Sequence, residues 1–204
     1  YREDTLHSDS QGDDQWTADN PPFGQTFTYY LKDGFRTAKQ VRVAADKEKQ
    51  KNGKGVDYPD FASLEMERRE GEAAVFVVVR DMNGNVIRTV DAPNKKGVNR
   101  VTWNLLQSTQ TAITDESSGN NPDRPSGTMV MPGKYTASLH ARVNGAAMQV
   151  AGPVNFELVD VTNGSLDGAS RANAYAFQRD LEAARAKNAA ANTTIADLMD
   201  KAKL

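Results

Sequence analysis

Glu65, Glu67, Glu70 and Glu72 are a closely spaced set of carboxyls that could move protons. Glycoside hydrolysis needs two carboxyls facing each other across a sugar, about 5 Å or about 6.5–9.5 Å apart depending on the stereochemical course. Here the carboxylates fall on a short, highly charged segment that reads as a solvated helix, so they are expected to be ordinary surface charges. Histidine offers little more. His7 sits in a polar stretch, and His140 falls on the side of an alternating strand opposite its apolar residues, so both are expected at the surface. No Gly-x-Ser-x-Gly elbow is present. With no cysteine in the chain, disulfides, thiolate nucleophiles and Cys-ligated zinc are excluded. Two segments place oxygens around glycine, Asp9 to Asp14 and Asp160 to Gly168. Neither has the ligand order of a calcium-binding EF-hand loop, and both are expected to be polar turns. No cofactor is therefore expected, with calcium the one ion worth a check.

The elements that would have to position such groups are mostly strands. The chain has 204 residues, 38 % of them hydrophobic, enough for one core. Its 25 Lys and Arg against 27 Asp and Glu leave a net charge of −2, which argues against nucleic acid as a partner. There is no apolar run long enough to span a membrane. Residues 1–22 read as an extended acidic arm, closed by Asn20-Pro21-Pro22. Phe27 to Leu31 alternates as a strand does. Lys32 to Lys54 carries eight basic and three acidic residues, with Phe35, Ala38, Val41 and Ala45 at helical spacing. Asp60 or Ser63 is placed to cap a second short helix. The two helices form an insertion over about 33–70.

From Ala73 onward the pattern is β. Ala74 to Val79 is an uncharged, β-branched run suited to a strand buried on both faces. Asn83-Gly84 and Asn144-Gly145 are hairpin signals, each compatible with a type I′ turn. Val98 to Leu105 reads as a strand with Val101, Trp103 and Leu105 on one face, which places Trp103 in the core. Residues 107–127 form a long polar loop, Lys134 to Val143 alternates cleanly, and Val154 to Val161 is the last strand. Six or seven short strands at this spacing predict a mainly β protein, an Ig or fibronectin-III-like Greek-key β-sandwich over 23–161. The segment 162–204 is alanine-rich and helical. Ala174, Phe177, Leu181, Ala184, Asn188, Ala191, Ile195, Leu198 and Ala202 follow an alternating three-four spacing, a possible coiled-coil seam. Asn192-Thr193-Thr194, with Asp197 completing a capping box, predicts a break there and a helical hairpin.

Two sets of motifs carry a resemblance. Gly84 to Thr89, Gly97 to Asn104 with its Trp103, and Pro132-Gly133-Lys134-Tyr135 are similar to the Ig-like domain of the flagellar hook-capping protein. Trp16 to Gly24, followed by Phe27 to Leu31 and later by Ala176-Phe177-Gln178, resembles the post-propeller region of large bacterial proteins with sortilin-like or BNR-repeat β-propellers. Those proteins are often labelled glycosyl hydrolase. The resemblance implies an exported protein, secreted, periplasmic or at the bacterial cell surface, and an accessory module beside a propeller. The Ser-x-Asp-x-Gly-x-Thr-Trp boxes of the propeller are absent, so its activity does not carry over.

The expected function is non-catalytic: docking against an adjacent β-propeller domain or another copy of the chain. Trp16, Phe23, Tyr29, Tyr30, Phe177 and Leu181 are the candidate contact residues. The alternatives are a glycoside hydrolase whose catalytic propeller lies upstream, a carbohydrate-binding module using Trp16 with the Tyr29/Tyr30 pair, and a surface protein that self-assembles through its arm. The first residue, Tyr1, is not Met, so the true N-terminus is expected to be processed or to lie upstream.

Overall fold

The computed structural model describes residues 21–110, 127–160 and 170–202. Six strands and three helices follow in the order β1 (Gln25–Leu31), α1 (Ala38–Lys51), α2 (Phe61–Arg69), β2 (Ala74–Asp81), β3 (Val86–Ala92), β4 (Gly97–Trp103), β5 (Gly133–Val143), β6 (Ala146–Leu158) and α3 (Arg171–Ala202). They build two antiparallel sheets, one of order β1-β4 and one of order β3-β2-β5-β6. β2 is central, and its Val75, Val77 and Val79 point into the core while Val78 is buried on the opposite face. That is the two-faced burial the uncharged run predicts.

The sheets meet across one cluster, formed by Leu31 and Trp103 from the small sheet with Val77, Val79, Tyr135 and Leu139 from the large one. Edge-on aromatic contacts knit the joint. Phe156 lies 5.5 Å from Phe27 and 6.4 Å from Trp103, and Tyr135 lies 6.2 Å from Trp103. Trp103 is fully buried and its Nε1 donates to Leu106 O at 2.8 Å. Gly24 permits this approach, because a Cβ there would stand 2.0 Å from the Trp103 carbonyl oxygen, and its φ of +130° suits only glycine.

Both helices of the insertion form as capping chemistry dictates. Thr37 and Gln40 close a capping box at the start of α1, and Asp60 Oδ1 accepts from Ser63 N at 2.7 Å at the start of α2. Gly53, at φ +67°, helps end α1. The apolar stripe expected on α1 does not face a neighbour, since Val41 is exposed and Phe35 precedes the helix. The face turned inward is Arg42 and Asp46, because Arg42 makes a two-point ion pair with Glu67 of α2, 2.7 Å in each arm. Asn94 ties the insertion to the sheets, accepting from Phe35 N at 2.7 Å and donating to Phe35 O at 2.8 Å.

Four expectations are corrected. Asn83-Gly84 is not a type I′ turn: only Gly84 has positive φ, and Asp81 instead gathers Asn83 N and Asn85 N at 2.9 and 2.8 Å. This makes the three-residue loop with a glycine bulge. Asn144-Gly145, at φ 54° and 74°, does behave as expected. β4 stops at Trp103, because Leu105 adopts φ 63° and turns the chain toward an isolated bridge between Leu106 and Met129. The last strand starts at Ala146, eight residues before the predicted Val154, as the partner of β5 along its length. Finally, the predicted helical hairpin is one 32-residue helix. Thr193 and Thr194 do not cap a new helix. Their hydroxyls donate back to Ala189 O and Ala190 O at 3.1 and 2.9 Å, which satisfies them inside a continuous helix.

Replacing Trp103 by Ala removes the largest side chain of the joint and is expected to lower the unfolding free energy by about 3–5 kcal/mol. Denaturant titration of the two proteins measures this directly.

Candidate functional site

Three groups of residues were candidates for chemistry: the acidic run, the histidines, of which His7 lies outside the described residues, and the aromatic side chains. Glu67 is held by Arg42, whose hydrogen bond keeps the carboxyl below the usual carboxylate range. Glu65 takes Arg68 at 2.9 Å and Arg69 at 2.8 Å, and its carboxyl is lowered for the same reason. Carboxyls shifted this way are ionised at neutral pH and cannot donate a proton to a leaving group. Glu70 accepts from Ala38 N at 2.8 Å and so caps α1 from the end of α2. Glu67 and Glu70 fasten α2 to α1, while Glu65 pairs within α2.

His140 departs from its expected place at the surface. It is half-buried, stacked on Phe76 at 5.6 Å with 14° between the ring planes, and its Nε2 lies 2.9 Å from Ser138 Oγ. Burial, and then the Arg80 charge, push its pKa below the ordinary imidazole value. Ser138 is itself buried between strands, where a substrate carbonyl does not reach. The pair reads as packing on the outer face of the large sheet.

The aromatic candidates separate. Trp16 lies outside the described residues, as do the segment Asp9 to Asp14 and all of Asp160 to Gly168 except Asp160, which pairs with Arg171. Phe23 is exposed just before β1. Tyr29 points inward and its hydroxyl donates to Pro93 O, while burial raises its pKa. Tyr30 points outward, opposite the exposed Val98 of β4. Neighbours on one strand face opposite ways, so Tyr29 and Tyr30 share no platform. Tyr58 and Phe61, beside the start of α2, are 88 % and 81 % exposed. Among the described residues β1 pairs with β4 alone, and beside it an open groove of about 320 Å³ is lined by Phe27, Leu139, Ala151, Val154 and Phe156.

The longest candidate surface is α3, a helix of 32 residues. Its inward residues are Tyr175, Arg179, Glu182, Ala183 and Ala186, one face at helical spacing. They rest on the chain that leaves β4 and re-enters before β5. Gln107 Nε2 donates to Tyr175 OH. Gln110 N and Thr128 Oγ1 donate to Glu182 at 3.0 and 3.1 Å, and Arg179 Nη1 donates to it at 2.9 Å. This attachment was not legible, because its partners lie in a stretch that reads as a polar loop. Tyr175, Arg179 and Glu182 at helical spacing were the available signal. Phe177 and Leu181, predicted as contact residues, stand on the other side with the rest of the apolar stripe. Phe177 is 67 % exposed, Ile195 54 % and Leu198 60 %. From Lys187 to Ala202 every residue is exposed.

Comparison with known proteins gives no match to any family model, curated protein or solved structure.

Two outcomes test this geometry. The unfolded chain protonates His140 near pH 6.5, whereas the fold resists that proton. The unfolded state therefore binds more protons below about 6.5, and stability falls as the pH drops through that range. Replacing His140 by Gln should flatten this part of a stability-against-pH curve. Replacing Glu182 by Ala should loosen α3 alone, with far-UV circular dichroism losing helix signal while the midpoint for the β-sheet body holds.

Proposed function

We propose that this chain is a non-catalytic interaction module of an exported or cell-surface bacterial protein, a β-propeller-associated one. In this reading the two antiparallel sheets are an Ig or fibronectin-III-like spacer, and the module docks through apolar surface rather than transforming a substrate. The observation that carries the reading is α3. A 32-residue helix is fixed to the body by hydrogen-bonding groups and turns its apolar stripe to solvent. Isolated helical segments are marginal in water, and stability normally comes from packing the apolar face. An apolar stripe of this length held away from its own core is suited to a partner. The motif resemblance supplies the setting: a module after a propeller, with glycoside hydrolase activity, if the parent protein has it, residing in that propeller.

A second reading has an observation of its own. Among the described residues one edge of β1 is unpaired beside an apolar groove, which suits an added strand, so self-assembly by strand addition is the alternative. A carbohydrate-binding platform is less favoured, because Tyr29 is committed to Pro93 and faces away from Tyr30.

The test is the size of the native particle. Material isolated from the native source is expected to sediment as something larger than one 22.3 kDa chain, and substituting Phe177 and Leu198 by Asp should reduce that size. Equal sedimentation of the wild-type and substituted proteins would remove the role of α3 and shift weight to the β1 edge.

A further inference from the structure

The exposed stripe of α3 has a seven-residue repeat, and its details select one kind of occupant. Ala174, Leu181, Asn188, Ile195 and Ala202 stand seven apart, and so do Phe177, Ala184, Ala191 and Leu198. They are the a and d positions of a coiled coil. Tyr175, Arg179, Glu182 and Ala186, which rest against the body, are the b and f positions, on the far side of the helix from that seam. In most coiled coils those positions face water. Here the polar back of the helix is fastened and the seam is presented.

We propose that α3 pairs with α3 of a second copy of this chain, as a parallel, in-register two-stranded coiled coil centred on Asn188. This rests on the interaction-module reading and names the partner of the same surface. Three features choose this arrangement. First, Asn188 sits alone at the middle a position, where in a parallel dimer it meets Asn188 of the other copy and the two amides hydrogen-bond; a single such Asn is known to fix register and the two-stranded state. Second, Asp180 at g faces Arg185 at the following e position of the second copy, so each dimer gains two opposite-charge pairs, and both side chains are exposed and able to reach. Third, the bodies lie on the backs of the two helices and point away from each other, so nothing in the described structure obstructs the seam.

The antiparallel alternatives fit less well. One alignment sets Lys187 against Lys187 and Arg185 against Arg185 of the second copy. The other brings Asp180 to Lys201 but leaves Asn188 facing Ala191, with its amide unpaired in the seam. The large apolar residues are few, Phe177, Leu181, Ile195 and Leu198, with alanines between them. Association is therefore expected to be reversible and dependent on concentration.

The chain contains no cysteine, so single-cysteine variants report orientation without background. The purified 204-residue protein is expected to double in mass by sedimentation as its concentration rises. Ala174→Cys and Ala202→Cys, at opposite ends of the seam, should each oxidise to a disulfide-linked dimer, which an antiparallel pair cannot do. Asp180→Arg should weaken the dimer by roughly tenfold, and adding Arg185→Asp should restore it. A protein that stays monomeric up to about 1 mM, the weak limit of most specific contacts, would overturn the proposal. So would a dimer in which neither cysteine variant cross-links. If the purified chain is monomeric but Phe177→Asp with Leu198→Asp still shrinks the native particle, the module reading stands and its partner is another protein. If neither behaviour is seen, both fall.

Discussion

Trp103 is the residue on which the rest of this structure depends. A two-stranded sheet cannot hold itself together in water, and β1 with β4 survives as one layer of a core because Trp103, with Leu31 and Phe27 beside it, anchors it against Tyr135 and Phe156 of the larger sheet. The same indole reaches beyond the core. Its Nε1 fixes the carbonyl of Leu106, the next residue but two, and so sets the path of the chain as it leaves the sheet. Gln107 N then donates to Thr128 O, and Val130 N to Leu105 O, drawing the two ends of the long connection together. Those two strands of backbone present Gln107 and Thr128 to Tyr175 and Glu182. One buried ring thereby organises the core, the loop and the seat of the terminal helix.

The energetics of that seat explain why α3 is held as it is. Attachment by hydrogen bonds to loop backbone and to a carboxylate is directional, so it fixes the rotation of the helix about its axis. An apolar contact would have turned the Phe177 and Leu181 side inward and consumed the stripe. The outcome is a helix about 48 Å long, of which, among the described residues, only the first half touches the body. The insertion follows a related logic. α1 and α2 bury no residue completely and are joined by the Arg42–Glu67 ion pair and by the Glu70 cap. Both appendages are fastened by polar groups, and both leave apolar side chains exposed at their outer faces.

Much of the sheet architecture was legible because its signals are local. Alternation in Lys134 to Val143, the uncharged run Ala74 to Val79 and the Asn144-Gly145 turn each report a constraint carried by neighbouring residues. The misreadings arose where a distant or competing partner decided. Asn83-Gly84 has the composition of a type I′ turn, yet the Asp81 carboxylate two residues back captures the loop amides. It is kept ionised chiefly by its bond with Asn85. Asn192-Thr193-Thr194 matches a capping sequence, but threonine hydroxyls are equally satisfied by the carbonyl one turn earlier. The α1 stripe failed because the helix meets its neighbour through Arg42, paired with Glu67, and not through an apolar surface. The candidate residues of α3 were visible as a periodic stripe. That the stripe faces outward was not, since this depends on Gln107, Gln110 and Thr128, more than forty residues away.

The central claim is that the outward stripe of α3 is a contact made between chains. Amide hydrogen exchange in residues 187–202 of the purified protein, followed across a concentration series, tests it most directly. The account predicts rapid exchange in dilute solution, slowing progressively as the concentration rises, with β2 and β5 amides unchanged throughout. Exchange in that segment at one constant rate over the whole series would contradict it.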